Sequence, residues 1–144
     1  GSLYVDGTEL SDIRPDTYRG FLSYASQDPY LFKGTVLENI MLANPDADAD
    51  EVKRLMSEYG ILSLADREVG KNGYELSGGE RQKISIIRAM IKDTPVVFID
   101  EPENNLDAAS LEKFTKWIRG NNKTMIYVSH RPDLIARADR QISL

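Results

Sequence analysis

Three short apolar runs punctuate an otherwise mixed chain: residues 21–26 (Phe-Leu-Ser-Tyr-Ala-Ser), 96–99 (Val-Val-Phe-Ile) and 124–128 (Thr-Met-Ile-Tyr-Val). Their length and their β-branched and aromatic content predict strands covered on both faces, as in a parallel sheet. A fourth run, Leu3 to Val5, stops at the turn pair Asp6-Gly7 and can lead into a hairpin. Between the strands the period becomes helical. Thr35 and Glu38 stand at capping-box spacing and open a short helix to Met41. Residues 44–50, with Pro45, Asp46, Asp48 and Asp50, read as loop. Val52, Leu55, Met56 and Tyr59 share one face of a helix over 51–59. Ser77 and Glu80 repeat the capping-box spacing ahead of a helix over 81–92, where Ile84, Ile87, Arg88 and Ile91 recur at helical spacing. Asp107 suits the N-cap of a helix to about Arg119, with Leu111, Phe114, Trp117 and Ile118 as its buried face and Gly120 as its stop. Pro132 suits the first turn of a last helix over 133–138. Strands and helices in alternation predict an α/β fold with a mostly parallel sheet.

Each main strand is followed by polar residues. Gln27 follows the first, Asp100 and Glu101 the second, Ser129 and His130 the third. Open parallel sheets bind ligands outside the carboxyl ends of their strands. An amide, two adjacent carboxylates and an imidazole gathered there suit phosphate and Mg²⁺ chemistry. Asp can hold a metal, Glu can deprotonate a water and imidazole can bond a phosphate oxygen. Taken singly, each has a plain alternative: a polar turn at 100–102, a structural histidine, an ordinary Gln-Asp-Pro turn. Their coincidence at three strand ends favours the functional reading. Residues 76–82, Leu-Ser-Gly-Gly-Glu-Arg-Gln, are more specific. A capping box accounts for Ser77 and Glu80 but not for Gly78 and Gly79, each of which costs a helix about 1 kcal/mol relative to Ala. Two glycines there point to close backbone approach and to an anion at the helix start.

Composition narrows the field. The chain has 144 residues, 41% hydrophobic and 28% charged, which fits one globular domain. A net charge of -5 makes a nucleic-acid partner a poor expectation. No apolar run approaches the length of a membrane span. There is no cysteine, so disulfides and thiolate chemistry are excluded, and the single histidine excludes any site needing two.

With those residues in view, the chain resembles the nucleotide-binding domain of ATP-binding cassette (ABC) transporters over nearly its whole length. Leu76, Ser77, Gly78, Gly79 and Glu80 are similar to the family signature, usually Leu-Ser-Gly-Gly-Gln, with Glu as a common variant at the last position. Residues 96–100 resemble the Walker B strand, with Glu101 in the catalytic-base position. Asn104, Asn105, Leu106 and Asp107 resemble the D-loop, His130 the switch histidine and Gln27 the Q-loop glutamine. Residues 27–35 followed by Glu38, Asn39 and Ile40 resemble the exporter branch. Glu68, Val69, Gly70 and Gly73 resemble the loop facing the coupling helices of the membrane domain, with Lys71 and Asn72 as solvated loop.

One expected element is missing from these residues. A phosphate-cradling loop reads Gly-x-x-x-x-Gly-Lys-Ser/Thr. Here Gly70-Lys71 is followed by Asn72, and Ala65 stands where the first glycine belongs. The resemblance therefore implies a fragment: a partial P-loop NTPase fold, mostly parallel sheet, without the central P-loop strand. A helical signature subdomain would span about 34–92, and the rest of 1–144 would be an incomplete RecA-like core. Apolar sheet face and strand edges are expected to be exposed, inviting self-association.

The resemblance further implies ATP hydrolysis that powers export across a membrane in the intact parent, with this fragment inactive alone. ATP and Mg²⁺ would bind in a head-to-tail dimer with a second nucleotide-binding domain. Ser77, Gly78, Gly79 and Glu80 would meet the ATP held by the partner. Asp100 and Gln27 would hold Mg²⁺. Glu101 would be the base, His130 would meet the γ-phosphate and Asp107 would link the two sites. Transmembrane coupling helices would be the other partner, at the cytoplasmic face of a plasma or bacterial inner membrane. Two other readings remain: a lobe of a DNA-repair or chromosome-type ABC ATPase, and a non-catalytic regulatory fragment. The first is opposed by the acidic charge and by the absence of heptads between Gln27 and Ser77.

Overall fold

A hairpin opens the fold in the computed structural model, which describes residues 1–70 and 73–142. Strands β1 (Tyr4–Val5) and β2 (Thr8–Glu9) pair antiparallel. They turn at Asp6 and Gly7, both at positive φ (49° and 81°), as a tight two-residue hairpin requires. Helix α1 (Pro15–Phe21) follows, with Pro15 at its start. The apolar pattern does not predict this helix, and it takes Phe21 from the expected strand. Strand β3 is therefore Leu22–Ala25, two residues shorter than the run that announces it.

Strand β4 (Gly34–Thr35) leads into α2 (Val36–Met41), and α3 (Ala49–Glu58) follows. The start of α3 lies inside the expected loop because Asp48 caps it, accepting from the Asp50 N–H at 2.8 Å. Strand β5 (Glu68–Val69), expected as loop, pairs antiparallel with β4. The expected loop residues Lys71 and Asn72, and the terminal Ser143 and Leu144, lie outside the described residues. Helix α4 (Gly78–Ile91), strand β6 (Val96–Asp100), helix α5 (Ala108–Gly120), strand β7 (Thr124–Val128) and helix α6 (Pro132–Ile135) complete the order. Helix α6 stops three residues short of the expected end, and Tyr127 Oη donates to its Leu134 carbonyl at 2.9 Å.

Both capping boxes form. At α2, the Glu38 N–H donates to Thr35 Oγ1 at 3.1 Å while Thr35 N–H donates to Glu38 Oε2 at 2.7 Å. At α4, the Glu80 N–H donates to Ser77 Oγ at 3.2 Å and Ser77 N–H donates to Glu80 Oε2 at 2.7 Å. Each box satisfies two otherwise orphaned donors.

The main sheet is parallel, in the order β3-β6-β7. Alternate residues divide it into two unlike faces. Ser23, Ala25, Val97 and Ile99 are buried, on the face packed by α4. The core continues through Ile84, Ile86 and Ile87 of α4, Leu111 and Phe114 of α5, and the helices α2 and α3. On the opposite face, Tyr24, Phe98 and Ile126 stand in register. Tyr24, Ile126 and Val128 are exposed there. The strands are thus covered on one face, not two: among the described residues no helix lies over Tyr24 and Ile126. This correction agrees with the expectation that apolar sheet surface is left open.

Candidate functional site at the carboxyl edge of the sheet

Parallel pairing puts every carboxyl end of β3, β6 and β7 on one edge. Asp100 ends β6 opposite Val128 of β7. The chain then turns at Glu101, a non-glycine residue at φ 43°, and its N–H donates to the Val128 carbonyl at 3.1 Å. Backbone held in this sparsely populated region costs on the order of 1–3 kcal/mol and is found where the surrounding structure enforces it. Here the enforcement is visible. Glu101 Oε1 lies 3.1 Å from His130 Nε2, and Glu101 Oε2 accepts from the Asn104 side-chain amide. The carboxylate is three-quarters covered, whereas the imidazole is 83% exposed. Asp100 Oδ2 accepts from Tyr24 Oη at 3.3 Å, a bond across the open face from β3. Burial, then the Asp100 charge, push the Tyr24 phenol above its usual pKa.

Glu101 and His130 thus meet as their strand ends predict, with Asp100 next to Glu101 at the end of β6 and bonded to Tyr24. Gln27 stands two residues past β3, exposed and outside the described hydrogen bonds. Its neighbour Asp28 is 3.2 Å from Arg81 on α4, so the segment is tied to the signature helix and not to the carboxylates.

Ser77 is occupied within its own cap, since its Oγ also lies 2.9 Å from Glu80 Oε2. The close approach that Gly78 and Gly79 were expected to allow is made by the chain itself. A Cβ on Gly79 would stand 2.7 Å from the Asn105 carbonyl oxygen, and one on Gly78 would stand 3.3 Å from Asn105 Oδ1. A backbone atom cannot rotate away, so Gly79 is required for the 104–107 segment to seat on α4. Asp107 completes that seat. It caps α5 through the Ser110 N–H at 2.8 Å and pairs with Lys83 of α4 at 2.6 Å. Among the described residues, no hydrogen bond or ion pair joins Ser77, Gly78 or Gly79 to Asp100, Glu101 or His130.

The Lys83 ammonium, then the Ser110 N–H, hold the Asp107 carboxyl well below the usual carboxylate range. A carboxyl lowered in the folded state stabilises fully above its unfolded pKa, about 3.9, and loses that contribution as pH falls. Asp107→Ala is expected to destabilise the chain by about 1 kcal/mol at pH 7, a typical N-cap loss and not more, because the side chain is half exposed. The difference from wild type shrinks as pH drops below about 4. Urea titrations at pH 7 and pH 3 check this; an equal difference at both would sink the assignment.

Two features escape sequence reading. Glu103 is a third acid close to Asp100 and Glu101, and only that crowding could have drawn notice. Its Oε1 accepts from Ser129 Oγ at 2.6 Å and from His130 N–H at 2.8 Å. Asn39, 1% exposed, joins α2, α4 and the segment after Gln27; the exporter-like segment includes it, but nothing in that resemblance gives it this role.

Comparisons with known proteins fit this layout. The family profile described as ABC transporter matches residues 1–104. The chain belongs to the ABC transporter family. It is 36% identical over 151 aligned residues to the ATP-dependent lipid A-core flippase of Neisseria meningitidis serogroup A, covering 99% of this chain and 24% of that protein. It is 33% identical to the mitochondrial iron-sulfur clusters transporter ABCB7 of Rattus norvegicus, covering all of this chain and 20% of that one. A bacterial Atm1-family ABC exporter with ATP bound superposes with a TM-score of 0.85 at 29% identity, over 96% of this chain and 26% of that chain. The chain therefore spans about a fifth to a quarter of the length of these relatives. The fold is that of the P-loop NTPases, here a parallel sheet with helices packed on one face. Among the described residues no helix is long and apolar enough to cross a membrane.

Proposed function

We propose that these residues form part of the ATP-hydrolysing domain of an ABC exporter. The observation that carries the reading is the contact of Glu101 with His130 at 3.1 Å, beside Asp100 on the carboxyl edge of a parallel sheet. In this reading residues 34–92 are the helical signature subdomain and the rest belongs to the RecA-like core. The phosphate-cradling loop, which these residues lack, is supplied by another stretch of polypeptide.

ATP is the substrate. Glu101 takes a proton from the attacking water, and its coverage together with two hydrogen-bonding neighbours fixes the carboxylate for that role. His130 meets the γ-phosphate and orients the same water. Asp100 suits Mg²⁺, using only Oδ2 in a described hydrogen bond; exposed Gln27 has an amide oxygen to offer but sits on a segment tied to α4 by Asp28–Arg81. Mg²⁺ keeps most of its waters and takes one or two carboxylates plus phosphates, so a protein cage of several acids is not required. When bound it supplies charge compensation for the phosphates. In a head-to-tail dimer Ser77, Gly78, Gly79 and Glu80 face the nucleotide of the partner domain. Asp107, bonded to Lys83 of α4, ties the 104–107 segment to that signature. Closure and opening of the dimer pass through the segment after Gln27 to coupling helices of a membrane domain, at the cytoplasmic face.

The test is His130→Ala in the intact transporter. ATP turnover is expected to fall by about a hundredfold or more, with ATP binding retained. Turnover within a few-fold of wild type would overturn the assignment.

A further inference from the structure

His130 presents a mechanical problem. Its imidazole is 83% exposed, so packing does not hold the ring beside Glu101. The ring stays where its backbone is placed, and the backbone of residues 129–131 is a loop beyond the end of β7. Something must fix that loop.

We propose that Glu103 is the positioning residue of His130. Its Oε1 accepts two hydrogen bonds across the gap between the β6 and β7 ends, from Ser129 Oγ at 2.6 Å and from the His130 N–H at 2.8 Å. Bonds to an ionised acceptor are short and strong. Ser129 Oγ in turn accepts from the Arg131 N–H at 3.1 Å, so one carboxylate oxygen organises three consecutive residues. The other oxygen, Oε2, is buried without a hydrogen-bond partner among the described residues. Glu103 is half-buried, with Oε1 turned to this loop and Oε2 covered by protein. A burial of this kind is costly unless its bonds are strong. Glu103 sits two residues after Glu101, whose own N–H is tied to Val128. The base and the histidine are thereby fixed to one short frame, 101–103 on one side and 128–130 on the other. Glu103 acts through His130 and touches neither ATP nor water in this proposal, which rests on the function proposed above.

The test compares Glu103→Ala with Glu103→Gln. Gln keeps an acceptor oxygen at the same reach; Ala removes it. In this chain, amide hydrogen exchange at His130 is expected to speed up by about tenfold or more in Glu103→Ala and to stay within about threefold in Glu103→Gln. In the intact transporter, Glu103→Ala is expected to lower kcat by about tenfold with KM for ATP within about twofold, and Glu103→Gln to restore most of it. Unchanged His130 exchange in Glu103→Ala would overturn the proposal, as would equal loss in the Ala and Gln variants. If Glu103→Ala does not fold, Ser129→Ala replaces it: one bond of the pair is lost, and exchange at His130 rises by a smaller factor or the proposal fails. A transporter in which His130→Ala turns over normally would refute the functional reading, while the exchange measurement would still decide the clamp.

Discussion

Glu101→Gln is expected to reduce steady-state ATP turnover of the intact transporter by about 10²–10⁴-fold, the usual worth of a general base, with ATP affinity changed by no more than about twofold. The reason lies in what Gln keeps and what it lacks. It has the length of Glu and can occupy the same space beneath His130. It cannot accept a proton at neutral pH. It serves both neighbours only when its amide oxygen accepts from Asn104 and its amide nitrogen donates to His130 Nε2, which requires the Nδ1–H tautomer of the imidazole. Oε1 now lies 3.1 Å from His130 Nε2, and Oε2 accepts from the Asn104 amide, so a Gln amide nitrogen would face one of these groups where an oxygen now stands. Binding is spared because the carboxylate is an acceptor-only group, and its removal takes no donor from a phosphate. Retained binding with lost turnover should trap the closed dimer. Size-exclusion chromatography in ATP, alongside an ATPase assay and equilibrium binding, reads all three. Turnover near wild type would remove Glu101 from the base role, and lost binding would make it a binding residue.

The strand ends show what a sequence can announce. Asp100, Glu101 and His130 were legible because a parallel sheet forces all its carboxyl ends to one edge, and residue type supplies the rest. The capping boxes at Thr35 and Ser77 were legible because they rest on one local spacing. Helix α1 was not, because residues 15–21 make it without burying a single residue, so no apolar stripe marks it. The covering of the sheet was misjudged for a related reason. An alternation of faces cannot be read from Phe98, Ile126 and Val128, which are apolar whether or not anything lies over them. Gly79 was legible as a place of close approach but not for its neighbour, since only tertiary structure brings the Asn105 carbonyl there. The roles of Glu103 and Asn39 were illegible because Ser129 and His130, or Arg88, reach them only through tertiary structure, and the backbone groups at 32 and 35 that complete the Asn39 hub have no sequence signature.

Asn39→Ala is expected to produce the largest loss of stability among these changes, about 3–4 kcal/mol, from the unsatisfied groups it leaves behind. Asn39 is 1% exposed and uses both ends of its amide. Oδ1 accepts from the Phe32 N–H at 2.8 Å and from Arg88 Nη2 at 3.0 Å. Nδ2 donates to the Phe32 and Thr35 carbonyls, each at 2.9 Å. Arg88 is the sensitive partner. Its guanidinium makes no ion pair among the described residues and is held by carbonyls: Asn39 O and Tyr30 O, both at 2.8 Å, with Asn39 Oδ1 as the third acceptor. Burial pulls its pKa down to about 10, so at neutral pH it is still a cation, half-buried and leaning on these acceptors. Removing the amide strips one of three acceptors from that charge and leaves the Phe32 N–H unpaired. Asn39→Asp separates the two halves of the hub. It keeps the acceptor for Arg88 and adds an opposite charge beside it, but it loses both donations, so two carbonyls face a carboxylate. If the cation dominates, Asp is milder than Ala; if the backbone cradle at 32–35 dominates, Asp is at least as severe. Urea unfolding followed by far-UV circular dichroism and by the fluorescence of Trp117, the only tryptophan, measures both. A loss below about 1 kcal/mol in Asn39→Ala, no more than an ordinary solvent-satisfied bond, would mean that water replaces the amide and that the hub is not sealed.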